Sequence, residues 1–129
     1  MPLLYFNVLE GRTDAELQTM LDAAHRAMLA AFKVPERDRY QIVNEYKPSS
    51  MIIEDTGLGI PRTDKVVVVQ VVSRPRNKKA KQKFYKLLAE ELQTSCGIAP
   101  TDVMVSIVEN SDEDWSFGLG RAQFLEGDL

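Results

Sequence analysis

The sequence predicts an α/β (α+β) fold built from two β-α-β units. Three observations carry this. The order strand, turn, long helix, short link, strand occurs twice, over approximately residues 2–45 and 65–109. The two stretches align residue by residue, Leu3 with Val66, Asn7 with Gln70 and Gly11 with Arg74, then Asp38 with Asp102 and Val43 with Ile107. The alignment needs one residue of offset, expected near the helix end, where an insertion disturbs little. Finally, a strand–helix–strand crossover makes its two strands parallel, with a right-handed connection. Two such units side by side give a four-stranded sheet with both helices on one face. The opposite face is left bare, so a homo-oligomer is expected to cover it.

Each element has a local reason. Leu3 to Leu9 is an extended apolar run that begins almost at the chain start, so the terminus is expected to be tied into the sheet. Gly11 turns the chain, and Thr13 or Asp14 can cap a helix. Leu17, Met20, Leu21, Ala24, Met28, Leu29 and Phe32 recur at helical spacing over about 14–32. His25 lies beside that stripe as a boundary residue. Val34-Pro35 ends the helix, Glu36-Arg37-Asp38-Arg39 is a charged link, and Tyr40 to Tyr46 reads as the second strand. Met51 to Glu54 is a short extended piece, followed by a turn-rich loop over Asp55 to Pro61. Val66 to Val72 is almost wholly β-branched, and is expected to be central and covered on both faces. Asn77 is the N-cap of a helix over about 78–95, whose buried stripe is Ala80, Phe84, Leu87, Leu88 and Leu92; Gly97 stops it. Val103 to Val108 is the last strand. The tail carries Trp115, Phe117, Phe124 and Leu129 among glycines.

With 129 residues, the chain is read as one domain spanning 1–129. A net charge of −3 argues against nucleic acid as a partner. The longest apolar run is too short for a membrane helix, and no basic-then-apolar leader opens the chain. A single cysteine, Cys96, rules out an internal disulfide and suits the cytoplasm. One histidine and one cysteine make a His/Cys metal site improbable.

Two features could carry chemistry. Pro2 follows the initiator Met1, and small second residues generally permit Met removal. A secondary amine would then stand at the start of a buried strand. The plainer reading is a proline that opens a strand where no N–H is needed. Arg74 and Arg76 sit where a strand gives way to a helix, a position suited to an anion because guanidinium forks add to the positive helix end. A solvated basic turn remains the alternative.

Pro2 behind Met1, Leu9-Glu10-Gly11-Arg12-Thr13-Asp14 after the first strand, and the repeated β-α-β plan resemble the tautomerase superfamily. Ser73-Arg74-Pro75-Arg76, the link Val34 to Tyr40, and the tail Glu109 to Phe124 resemble its malonate semialdehyde decarboxylase branch over essentially the whole chain. The resemblance implies a homotrimer and a cofactor-free decarboxylation of malonate semialdehyde, a small oxo acid, to acetaldehyde and carbon dioxide. It implies catalytic roles for Pro2, Asp38, Arg74 and Arg76, with the two arginines holding the substrate carboxylate. It places a hydrophobic wall at Trp115, Phe117, Phe124 and Leu129. Keto–enol tautomerisation of phenylpyruvate-type acids, or hydration or dehalogenation of unsaturated three-carbon acids, stands as the alternative. A trimeric binding protein with a blocked terminus is a third reading.

Overall fold

Strand β1 (Leu3–Leu9) runs through the middle of the sheet because every second residue of it is buried: Leu4, Phe6 and Val8 point into the core. The computed structural model describes residues 1–129. Helix α1 (Asp14–Phe32) crosses to β2 (Tyr40–Tyr46), and a long connection leads to β3 (Val67–Ser73). Helix α2 (Lys78–Cys96) crosses to β4 (Val103–Glu109), and a short α3 (Gln123–Glu126) lies in the tail. The sheet order is β2-β1-β3-β4, parallel within each β-α-β unit and antiparallel where β1 meets β3.

Both helices pack on one face and share one core. Met20, Ala24 and Met28 of α1 and Phe84, Leu88 and Leu92 of α2 close over Phe6, Val8, Val69 and Val71. The helix starts follow from their caps. The Thr13 hydroxyl accepts from the Glu16 amide at 3.1 Å, while the Glu16 carboxylate accepts from the Thr13 amide at 2.9 Å. The Asn77 side chain accepts from the Ala80 amide at 2.8 Å. Gly97 ends α2 at φ 67°, a left-handed conformation that suits glycine.

Met51 to Glu54, read as a short extended piece, joins no strand of the sheet. Two expectations need correction. Strand β3 is central, but this chain covers one face of it. Val67, Val69 and Val71 are buried while Gln70 is exposed, so the β-branched run follows the pleat and not a sandwich between helices. The offset between the units also lies elsewhere. Leu4, Phe6 and Val8 match Val67, Val69 and Val71 by face, whereas the N-cap Thr13 already matches Asn77. The two strand-to-helix turns are nonetheless equal in length, four residues each, 10–13 and 74–77, and the second holds Arg74 and Arg76.

The face away from the helices carries a polar row. The Asn7 amide donates to the Val68 carbonyl and to Gln70, and its oxygen accepts from Asn44 and Tyr46. Around it stand apolar side chains left open to solvent, among them Ile42 and Val108. No helix is long and apolar enough to cross a membrane.

Candidate active site

The antiparallel pairing of β1 and β3 assembles the site. Leu3 lies opposite Val72, so the start of β1 comes beside the end of β3 and the arginine turn beyond it. Leu3 also pairs with Tyr40, which brings in the link just ahead of β2. Three segments distant in sequence thus place Pro2, Asp38 and the pair Arg74 and Arg76 at one end of the sheet.

Pro2 is fully buried. With Met1 attached, its nitrogen is an amide and carries no basic lone pair. The Met1 ammonium lies 3.9 Å from the Asp38 carboxylate. Burial pulls that amine below its ordinary value; Asp38 opposes this, and the charges of Arg76 and Arg74 add to it. Asp38 is 6% exposed, and its Oδ2 has no hydrogen-bond partner. Burial pushes its carboxyl above the usual range, against the pull of the terminal amine and of Arg76. Burial therefore works against charge on both members of the pair. The Asp38 amide is anchored on the Pro35 carbonyl at 2.9 Å. His25, read as a boundary residue, is buried and its Nε2 lies 2.8 Å from the Glu36 carbonyl, bracing the same link.

The two arginines differ in their surroundings. The Arg76 guanidinium stands 5.1 Å over the Phe32 ring, and its Nε reaches only the Ser73 hydroxyl at 3.5 Å. Burial, and then the neighbouring Arg74, lowers its pKa from the ordinary value. Arg74 instead pairs through Nε with Asp112 at 2.6 Å and lies 4.3 Å over the Phe124 ring.

The aromatic wall is a connected stack. Trp115 lies flat on Phe117 with centroids 5.4 Å apart, and Phe124 meets Phe117 edge-on at 5.5 Å. A cavity of about 390 Å³ opens beside it. Met1, Asp38, Phe117 and Leu129 line it. Pro2, Trp115, Phe124, Arg74 and Arg76 do not; Pro2 is buried behind Met1, the two aromatics pack on Phe117, and the arginines act on the terminal amine through their charge.

Sequence reasoning missed five residues that also line this cavity: Pro35, Arg37, Tyr40, Gln123 and Asp128. Arg37 and Tyr40 flank Asp38 closely enough to have been suspected. Tyr40 stacks on Phe117 at 5.7 Å. Gln123 gave no signal, because its role depends on the fold. Its oxygen accepts from the Phe117 amide at 2.9 Å, and its amide donates to the Gly118 carbonyl at 2.8 Å, which fixes the loop against α3. Arg121 closes the tail by donating to Asp128 at 2.9 Å.

A second cavity, of about 350 Å³, lies at the opposite end of the sheet among Arg12, Lys65 and Cys96. No three His, Cys, Asp or Glu side chains gather where they could hold a metal ion.

Comparison with known proteins places this geometry in context. Two models of tautomerase enzymes match the chain, over residues 2–60 and 38–118. The probable tautomerase YrdN of Bacillus subtilis (strain 168) is 58% identical over 129 residues, covering 100% of both chains. The probable tautomerase YusQ of the same organism is 31% identical over 98% of this chain and 100% of its own. Among solved structures, a malonate semialdehyde decarboxylase described for its decarboxylase and hydratase activities superimposes with a TM-score of 0.97 at 57% identity, covering 98% of each chain. A malonate semialdehyde decarboxylase inhibited by 3-bromopropiolate gives 0.94 at 36% identity, over 98% of this chain and 97% of that one. A fused 4-OT, a symmetric trimer, shares the fold at 0.78 and 21% identity, over 97% and 98%.

Proposed function

The chain belongs to the tautomerase family, and from that membership we propose that it decarboxylates malonate semialdehyde (3-oxopropanoate) to acetaldehyde and carbon dioxide without a cofactor. One observation carries the proposal. A buried carboxylate with an unpartnered oxygen, Asp38, faces the chain's terminal amine beside an unpaired arginine, Arg76. The whole-length similarity to a malonate semialdehyde decarboxylase supports the same reading.

Removal of Met1 would convert the Pro2 nitrogen from an amide to a secondary amine. That amine would lie one residue along from the Met1 ammonium, whose charge burial and the two arginines disfavour and Asp38 favours. Both protonation states have a use. The cation can donate to the aldehyde oxygen and stabilise the enolate left when the C–C bond breaks. The neutral amine can add to the aldehyde and lose water, and the resulting iminium accepts the same electron pair. Protonation of the enolate carbon gives acetaldehyde; protonation of the enamine carbon gives an iminium that water hydrolyses to acetaldehyde and the free amine. Arginine holds the carboxylate before it departs as neutral carbon dioxide. The apolar stack around Phe117 and Leu129 favours the dispersal of that charge.

The test is direct. Purified protein, with removal of Met1 verified by intact mass, is incubated with malonate semialdehyde and acetaldehyde is followed. Formation of acetaldehyde is expected. Its absence, together with ketonisation of enol phenylpyruvate, would overturn the proposal in favour of a tautomerase. The relatives described as probable tautomerases support that second reading. Borohydride trapping separates the two decarboxylation routes, since only the iminium leaves a reduced adduct on the amino-terminal peptide.

We further propose a homotrimer closed over the bare sheet face, where Ile42 and Val108 are open to solvent. Light scattering is expected to give three times the chain mass; a monomer in solution would refute it.

A further inference from the structure

We infer that Asp112 is a positioning residue that occupies Arg74 and leaves Arg76 as the open carboxylate acceptor. This rests on the proposed carboxylate-holding role of the arginine pair.

The two arginines lie two residues apart on one turn, yet their surroundings are unequal. Arg74 has a carboxylate partner at 2.6 Å, and its guanidinium is laid on the Phe124 ring at 4.3 Å. The Arg76 backbone amide donates to the Glu109 carboxylate at 2.9 Å, but its guanidinium has no carboxylate partner and reaches only a serine hydroxyl at 3.5 Å. Asp112 is held for this task. It follows Ser111 at the start of a single helical turn, closed by Asp114, whose Oδ2 accepts from the Ser111 amide at 2.8 Å and hydroxyl at 2.9 Å. The neighbouring Asn110 amide donates to the Ser73 carbonyl at 2.8 Å, next to Arg74. Both members of the ion pair are thus mounted on backbone segments hydrogen-bonded to each other.

The reaction gives this arrangement a purpose. The carboxylate is an anion in the ground state and leaves as a neutral molecule. An arginine that grips it equally in both states tightens binding without lowering the barrier, and a grip lost in the transition state raises the barrier. Two free guanidinium groups would bind the ground state too well. A competing carboxylate inside the protein limits the grip to one of them. The Arg74–Asp112 pair is partly open to solvent, with side-chain exposures of 38% and 49%, so an incoming ligand can compete for it.

The test is Asp112→Asn, read with 3-hydroxypropanoate, a carboxylate that does not decarboxylate, and with malonate semialdehyde. Binding of 3-hydroxypropanoate by calorimetry is expected to tighten about two- to fivefold, the range set by an exposed ion pair. KM should fall, and kcat should fall with it. Asp112→Glu should return the wild-type values, and in an Arg74→Ala background Asp112→Asn should leave affinity unchanged. Unchanged or weaker binding in Asp112→Asn, or equal tightening without Arg74, would overturn the inference. Asp112→Ser, which keeps a turn-forming side chain, decides the question if the asparagine variant melts early. Because the binding arm needs no turnover, a wild-type protein that yields no acetaldehyde refutes the decarboxylase reading and leaves Asp112 to be judged on affinity alone.

Discussion

The two ends of the sheet are built from matching parts and hold their buried aspartates in opposite ways. At one end Asp38 precedes β2; at the other Asp102 precedes β4. Their amides make the same local bond, Asp38 to the Pro35 carbonyl at 2.9 Å and Asp102 to the Ala99 carbonyl at 2.8 Å. Their carboxylates diverge. Asp102 is 1% exposed and accepts from both the amide and the hydroxyl of Thr63, at 2.7 and 2.5 Å. Thr63 lies in the loop that leads into β3. Ahead of β1 stand Met1 and Pro2, and Asp38 meets an ammonium at 3.9 Å with one oxygen unanswered. The same position is a satisfied anchor in one half and a buried carboxylate with an unpartnered oxygen in the other. The arginines differ too, less sharply. Arg12 spends Nη2 on the Lys65 carbonyl at 2.6 Å, tying the turn after β1 to the approach to β3, while its buried Nη1 has no partner. Arg76 stands at the matching place on the second unit's turn, and its guanidinium has no carboxylate partner.

The comparison is broken most sharply through activity. Arg76→Ala and Pro2→Ala are each expected to lower kcat/KM about 10²–10³-fold, the scale for losing one charged group that stabilises the reacting center. Arg12→Ala at the other end should stay within about twofold. Steady-state assays of the three variants check this, with light scattering to show that each assembles as the wild type does. Equal losses in Arg12→Ala and Arg76→Ala would mean the two ends share the chemistry.

Next in size is the anchor. Asp102→Asn replaces an acceptor of two short bonds with a side chain that offers N–H to one of its former donors. A destabilisation of about 2–3 kcal/mol is expected, since hydrogen bonds to charged groups and orphaned buried donors lie in that range. For a chain of this size that is a fall in Tm of about 5–15 °C. The folded fraction should keep its turnover. A wild-type Tm would show that Thr63 is held by something else.

The helices and strands were legible because their signals are local. Thr13, Asn77 and Gly97 are caps and stops whose meaning depends on a few neighbours, and the bounds of both long helices followed from them. The alternating burial of β3 was not legible, because valine at every position conceals which face is covered. Nor was the match of the two turns: Gly11 set against Arg74 looks like a natural pairing until the caps Thr13 and Asn77 set it against Pro75. At the site, Pro2 and the arginine turn could be suspected from chain position and residue type. Asp38 could not, since Glu36-Arg37-Asp38-Arg39 reads as a solvated link and only the resemblance singled it out. Its burial, the pairing of Asp112 with Arg74, and the two bonds of Gln123 all depend on contacts between distant segments.

The smallest expected effect is the most specific to the comparison. Asp38→Asn should stabilise the fold at neutral pH by about 1 kcal/mol while lowering activity, the reverse in sign of Asp102→Asn. The sign follows from linkage. Burial raises the carboxyl's pKa in the folded chain above its unfolded value near 3.9. A raised folded pKa means that the folded state holds the proton more tightly. The stability from this group is fully present below about pH 4 and is lost as pH rises through the raised folded value. Asparagine does not titrate, so its advantage over wild type should be least near pH 4, grow as pH rises, and level off once Asp38 is ionised. Urea unfolding of both proteins from pH 4 to pH 8 measures the difference. A variant less stable than wild type at every pH would mean that the pairing of Asp38 with the terminal amine outweighs its burial, and the two aspartates would then both be anchors.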